Sequence, residues 1–568
     1  KMAASLFRPV DAAPLSAFRA VFGALMLVHV ARLHFHGMYW RSVVAPPFHF
    51  TLSGVQLPVP STPRAAYTHL MFLALSAAGL ALGMWPRLCA SAFATAYAYF
   101  VLCERTMFNN HFYLYAIFAA LLVLIGGPSR RASTLCWWQR ALLRAQLALV
   151  YAYAAVAKLN EDWLVHGEPM ATKLASESAL HEPGMRWTLD AMPALPLLVS
   201  WAGVAVDGLA PPLLLCNRTR PIGIALTCAF HVGNAALWRL GDFPWVMLAT
   251  SLIFLDALPG GSAPPRPPPP PPGRPQLARL AAGVAHLLVQ LLLPLRPLVL
   301  AGFDPLDAVH TKAHTLLSWR FMAVSTRNFF NFSLRSTRLG ATFVMTRTLN
   351  RLHLVHPDGT ARPLPLAPPL HSRQAGYMPY SAPMLATFAR AAAERHPGYA
   401  VRGELWSSIN GRPLQRFVDA AADLSAVEVS ALSRPPWVRT LLRRFGSPVW
   451  RARLRMLRTR IRAAGHAAVI FADAPGGVRM HAEELRGTAL FPVRALLVPL
   501  AGTLRVTTPA GAAELAPPAW SEAPDGQPEL RPRAAPAELP LGEAHRVRTT
   551  GSEPSCWAYV FGERPAAS

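Results

Sequence analysis

Charge is what this chain has least of. Asp, Glu, Lys and Arg make up 15% of its 568 residues, where an ordinary soluble protein carries about a quarter. Acidic residues are the rarer kind, 30 against 55 basic, and lysine is rarer still: Lys1, Lys158, Lys173 and Lys312 are the four in the chain. Six cysteines spread over this length form no disulfide framework and no CxxC metal site. The low share of charge argues against a purely water-soluble class. The formal excess of +25 lies thinly between apolar runs, as flanking charge on a membrane protein does, and gives no reason to expect a nucleic-acid partner. A short apolar core followed by a small-residue cleavage site is also missing near the start, so the first apolar run is expected to remain as an anchor.

What is present is apolar: 52% hydrophobic residues and a mean hydropathy of +0.27. A bilayer core about 30 Å thick needs roughly 20 apolar helical residues. Nine candidate runs fit that use, near 15–33, 67–85, 88–103, 111–127, 141–158, 194–216, 221–237, 243–258 and 276–300. With a cytoplasmic N-terminus, the loops holding Arg87, Arg130 and Arg131, Arg218 and Arg220, and Arg266 and Arg274 all fall on the cytoplasmic side. Nine spans then leave the last part of the chain outside the cytoplasm. The proline-rich stretch 259–275 reads as an extended spacer loop. From about residue 303 short apolar stretches alternate with turn signals. Val355–Gly359 has the composition of a hairpin turn, the stretches around 490–506 suggest a small β-sandwich, and Ala382–Arg395 a helix. The expected fold is therefore a polytopic α-helical bundle over 1–302, followed by a mixed α/β, β-rich, non-cytoplasmic domain over 303–568.

Ionisable and amide side chains inside a membrane bundle are costly, and each is a site candidate. The strongest group is Asn110 and His111 opening the fourth run, Lys158 closing the fifth, and His231 with Asn234 in the seventh. The topology brings these to the same side. The plain alternatives are a snorkelling Lys158, interfacial histidines bonded to carbonyls, and asparagines joining helices. The rarity of lysine in an Arg-rich chain favours a role for Lys158, because lysine, unlike arginine, can lose its proton when buried. Asp207 is expected to pair with a basic or amide group. His29, His69 and His286 are scattered and receive no role. No two histidines stand at a metal-ligand spacing on a credible helix, which disfavours a metal site, and His545 lacks the earlier paired histidines that a metal-binding β-barrel needs. Asn331-Phe332-Ser333 is a glycosylation sequon.

Ordered segments along nearly the whole chain resemble the vitamin K-dependent γ-glutamyl carboxylases. They run from Phe7-Arg8-Pro9-Val10-Asp11 through Asn109–Tyr115, Leu149-Val150-Tyr151, Lys158–Trp163 and Phe230-His231. They continue with Ser318-Trp319-Arg320, Trp406–Asn410, Arg412, Gln415, Asp419, Asp423, Trp437-Val438, Leu539–His545 and Cys556–Val560. The sequence departs from that pattern at Ala157, at Ala420 and in an insertion-like stretch over 324–349.

The resemblance implies carboxylation of peptide-bound glutamate to γ-carboxyglutamate, coupled to epoxidation of reduced vitamin K with O2 and CO2. The γ-proton is too weakly acidic for any side-chain base, so a stronger base must be made in the site from the oxygenated quinol. It assigns Lys158 to quinol deprotonation, His111 and Asn110 to orienting or stabilising the quinone oxygens, and His231, Asn234 and Tyr115 to the cofactor pocket. No metal is implied. The partners would be a Glu-containing peptide and membrane lipid, and the site of residence the endoplasmic reticulum membrane if the source is eukaryotic. Fold alone does not fix chemistry; the alternative is a quinone-binding or partner-binding membrane protein of the same fold that does not carboxylate.

Overall fold

The computed structural model describes residues 5–51, 57–126, 134–176, 192–238, 240–258, 273–296, 299, 326–327, 332–335, 342–345, 351–365, 370–429, 435–463, 467–475, 480–481, 493–508, 511–517, 519–522, 528–531, 537–539 and 546–563. The prolines of 259–272, Ser318-Trp319-Arg320, Asn331 and His545 lie outside them, as does most of the 324–349 stretch. The chain divides into two compact units. The first runs Lys1–Pro305 and includes Pro368–Gln374; the second includes Val324–Ala367 and Ala375–Ser568.

Among the described residues, nine helices of twelve residues or more order the first unit: α1 (Ala13–Phe35), α2 (Pro63–Leu82), α3 (Pro86–Cys103), α4 (Asn110–Leu124), α5 (Trp137–Val156), α6 (Leu195–Leu215), α7 (Arg220–Leu237), α8 (Phe243–Phe254) and α9 (Arg274–Leu292). Each overlaps one of the nine apolar runs. Their starts are written in the sequence: all but α4 and α5 carry a proline in the first turn, where the missing N–H costs nothing and the fixed φ suits a helix. Asn109 caps α4 by accepting from Phe112 N at 2.8 Å, and Gln139 Oε1 accepts from Cys136 N at 2.7 Å to open α5.

Four of these helices, α1, α2, α6 and α9, are long and apolar enough to cross a membrane by length and composition; α4 and α8 are shorter apolar helices. At 1.5 Å per residue the 12 residues of α8 reach about 18 Å, well short of a bilayer core. Among the described residues, length and composition thus support four crossings, fewer than the nine apolar runs suggest. Large apolar side chains point outward all the same, among them Met71, Phe72, Leu75, Leu88, Ile222 and Leu292, as a lipid-facing surface requires.

Close approach is built from small residues. A Cβ on Gly23 of α1 would lie 2.4 Å from Ala81 N and 3.0 Å from Ala77 O at the α2 crossing, so only glycine lets these backbones meet. The outermost helix, α9, buries only Gly283 and Gln290 among its described side chains. It is held by polar bonds: Gln290 Nε2 donates to the Tyr113 hydroxyl at 2.7 Å, and His286 Nε2 lies 2.8 Å from Gln146 Oε1. A later segment belongs here too, for Gln374 Nε2 donates to Phe48 O at 2.7 Å and to the fully buried Glu104 at 2.8 Å.

The second unit is β-rich. Its largest sheet has seven strands in the order Ala537–Leu539, Val493–Ala501, Ser555–Glu563, Ala467–Asp473, Leu414–Arg416, Trp406–Ile409, Thr326–Arg327. The Leu414–Phe471 pairing is parallel and the other pairings antiparallel. Side chains alternate across it: Ile470, Ala472, Cys556 and Ala558 pack with Trp450, Leu454 and Leu457 of helix α11 (Pro448–Ala463), while Phe471 stacks on Trp557 at 5.8 Å and meets Tyr559 edge-on. The expected hairpin at Val355–Gly359 joins strands Arg351–Val355 and Ala361–Leu364, with Asp358 Oδ1 accepting from Thr360 N at 2.8 Å in the turn. Helix α10 (Ala382–Arg395) matches the expected bounds and buries Leu385, Phe388, Ala389 and Ala392 at helical spacing. The stretches at 493–501 and 504–508 join different sheets, the second pairing with Gly511–Leu515 and Arg546–Thr549.

Candidate functional site

The start of α4, the ends of α5 and α7 and the start of α8 converge on one cavity of about 80 Å³. His111, Tyr151, Lys158, Asp207, His231 and Asn234 line it, together with Trp163, Trp238 and Phe243. The topology expected Asn110, His111, Lys158, His231 and Asn234 on one side of the bundle; all of these but Asn110 line this space.

Lys158 does not snorkel. It is 4% exposed, and its Nζ donates to Asp207 Oδ2 of α6 and, at 3.2 Å, to Ala154 O one turn back. Its ammonium also lies 5.3 Å from the centroid of the Trp163 ring, a favourable cation–π approach. The local sequence sets this up. Just beyond α5, Asn160 accepts from Trp163 N at 3.1 Å and donates to Ala157 O at 3.1 Å, folding the chain into the turn Glu161–Leu164. Trp163 is then fixed by its indole N–H, which donates to Ser200 O at 2.6 Å. The lysine is thus one half of a buried ion pair, a partner that the sequence did not assign to it. Asp207 has the basic partner anticipated for it.

His231 Nε2 lies 2.8 Å from the Tyr151 hydroxyl. Its other nitrogen, Nδ1, is buried and has no hydrogen-bond partner among the described residues. His111 stacks on Phe243, with ring centroids 3.8 Å apart and planes 10° from parallel. The same Phe243 meets His231 edge-on at 6.0 Å. One aromatic ring therefore spaces the two histidines.

Asn234 lines the cavity, whereas Asn110, the first residue of α4, and Tyr115 do not. Tyr115 is buried one turn further along, with its ring 5.4 Å from His29 and 6.4 Å from Tyr97. That neighbourhood is a second polar group that sequence reasoning missed: His29 Nδ1 lies 2.8 Å from Asp242 Oδ2, His29 Nε2 3.0 Å from the Tyr97 hydroxyl, and Arg32 3.2 Å from Asp242. The cavity's aromatic walls were also missed, since an aromatic residue on a helix face carries no mark that separates a pocket from a core. Among the described residues no three His, Cys, Asp or Glu side chains gather as a metal site.

A mainly apolar cavity with a few convergent polar groups is the usual form of a small-molecule site. The orphaned His231 nitrogen, the Asn234 amide and the Lys158–Asp207 pair offer it hydrogen bonds and a proton, and the tryptophans and Phe243 offer flat apolar walls. The fold and the site define a helical bundle with helices long and apolar enough to cross a membrane and a buried polar cavity. Residues 7–257 of that bundle match the HTTM domain family, a domain found in vitamin K-dependent gamma-carboxylase and in other proteins. No solved structure matches the chain.

Proposed function

We propose that this chain is a vitamin K-dependent γ-glutamyl carboxylase, which adds CO2 to peptide-bound glutamate as reduced vitamin K is epoxidised with O2. The observation that carries the reading is the cavity shared by Lys158, His111, His231 and Asn234, the first three of which lie within the Lys158–Trp163, Asn109–Tyr115 and Phe230-His231 segments that resemble this family. The HTTM match over 7–257 supports it. The residues present suit a quinone head group: the Nδ1 of His231 and the amide of Asn234 for its oxygens, with Trp163, Trp238 and Phe243 against its faces. When bound, reduced vitamin K with O2 supplies the strong base that no side chain here can match.

Lys158 acts together with Asp207. Nζ passes one proton to Oδ2 and takes one from the cavity, so the pair gains one proton and one positive charge. In a site closed to water that charge is opposed by the negative charge left in the cavity. His111, braced by Phe243, and His231, braced by Tyr151, hold their ring nitrogens in fixed directions. The second unit would hold the Glu-containing peptide on the non-cytoplasmic side, in the endoplasmic reticulum if the source is eukaryotic.

The test is to incubate the purified chain with reduced vitamin K, labelled bicarbonate and a Glu-containing peptide, measuring fixed label and vitamin K epoxide together. Both products are expected. Epoxide without fixed label would make the chain an uncoupled epoxidase, and neither product would make it a binding protein.

A further inference from the structure

At the other end of α5, α7 and α8 from the cavity, three guanidinium groups meet one carboxylate. Arg140 and Arg144 stand one turn apart on α5, and Arg220 opens α7. Their Nη atoms lie 3.3, 3.4 and 2.7 Å from the oxygens of Asp256, just past the end of α8. The three arginine side chains are 7, 9 and 7% exposed, whereas the Asp256 side chain is 63% exposed.

This arrangement is unbalanced. Among the described residues three buried guanidinium groups share one carboxylate, and water screens that carboxylate far more than it does the arginines. Arg144 also bonds the last carbonyls of α8, Ile253 O at 2.9 Å and Phe254 O at 2.8 Å. That helix end contributes only about half an elementary charge. Arg140 and Arg144 at i and i+4 repel each other as well. A further anion would offset the excess positive charge. Guanidinium forks match the oxygens of a phosphate, and the open side is where Asp256 meets solvent.

We propose that Arg140, Arg144 and Arg220 form an anion site for a phosphate group, either the headgroup of an anionic lipid or free phosphate. The site does not depend on the carboxylase reading. The Arg distribution in the loops assigns this end of the bundle to the cytoplasm, and basic pockets between helices on that side are suited to lipid headgroups.

Thermal unfolding of the full chain, purified in neutral detergent and depleted of lipid, tests it with titrations of phosphatidylglycerol and of inorganic phosphate. A saturable rise in Tm is expected. Arg140→Gln should weaken the half-saturating concentration by about tenfold, and Asp256→Asn, which removes the competing carboxylate, should tighten it by about the same factor. Response to phosphatidylglycerol alone identifies a lipid headgroup, and response to inorganic phosphate as well identifies a free anion; either supports the site. No saturable shift with either probe overturns it. So does an Asp256→Asn variant that binds no tighter than the parent, since a purely structural staple would lose stability there without gaining an anion.

Discussion

His29 Nδ1 lies 2.8 Å from Asp242 Oδ2 although 213 positions separate them in sequence. Each partner is joined to a neighbour of the stacked pair in the cavity. Asp242 precedes Phe243, and the His29 ring meets Phe112, which follows His111, edge-on at 4.9 Å. His29→Leu would leave a buried carboxylate with Arg32 as its one charged partner among the described residues, at a cost of about 2–3 kcal/mol, and would loosen the His111–Phe243 stack. A lower Tm and a severalfold loss of epoxide formation are expected in one preparation; normal values of both would remove His29 from any positioning role.

Lys158→Arg should abolish epoxide and γ-carboxyglutamate formation while the protein still folds. Arginine can keep the ion pair to Asp207 but cannot give up its proton. Near-normal epoxide formation by this variant would defeat the proton-transfer role.

Asp207→Leu should lower stability by about 3 kcal/mol, because it leaves the Lys158 ammonium buried without its counter-charge. The double variant Lys158→Met with Asp207→Leu should recover much of that loss. A double-mutant cycle on Tm measures the coupling, and additive losses would mean that the two side chains do not form the pair described.

In the second unit, Arg416 Nε lies 3.3 Å from Asp473 Oδ2, and both side chains are buried. Burial raises the Asp473 carboxyl above its ordinary value, and Arg416 pulls it back toward that value. Arg416→Met should therefore cost about 3 kcal/mol at neutral pH. A carboxyl raised in the folded state binds its proton more tightly there than in the unfolded chain, so stability falls as pH rises through the raised value. The deficit of the variant should accordingly be largest at neutral pH and shrink as pH is lowered toward the raised value of Asp473. A deficit that does not change with pH would assign it to lost packing on Trp406, whose ring centroid is 5.0 Å from the guanidinium.

Protease treatment of sealed microsomes should spare the second unit and cut it only after the membrane is opened. Digestion from the cytoplasmic side of intact vesicles would reverse the orientation drawn from the arginines.

The helices were legible because apolar runs and first-turn prolines mark them locally. The cavity was legible through its ionisable members, since a lysine in an arginine-rich chain and a histidine in an apolar run stand out from their surroundings. What stayed hidden was pairing across distance. Nothing near His29 signals Asp242, and nothing near Lys158 singles out Asp207 over other acids. Tyr115 shares a motif with His111, but one turn further along α4 its ring packs against His29 and Tyr97 and not against the cavity. In the β-rich unit, Val493–Ala501 and Leu504–Thr508 are joined by two residues but enter different sheets; their patterns fit a strand in either, and the partners that decide are Ser555–Glu563 and Arg546–Thr549.

The two polar bonds of α9 act as a key. His286 and Gln290 are one turn apart, so both bonds form at a single rotation of the helix about its axis. Each added residue turns a helix by about 100°, and one inserted between them would carry one partner off the face that the other engages. In hydrocarbon no water replaces the lost bond. A helix that buries so few of its side chains can therefore be indexed as sharply as a deeply packed one, and the chain entering α9 from the proline-rich loop has its angle of approach set by Tyr113 and Gln146.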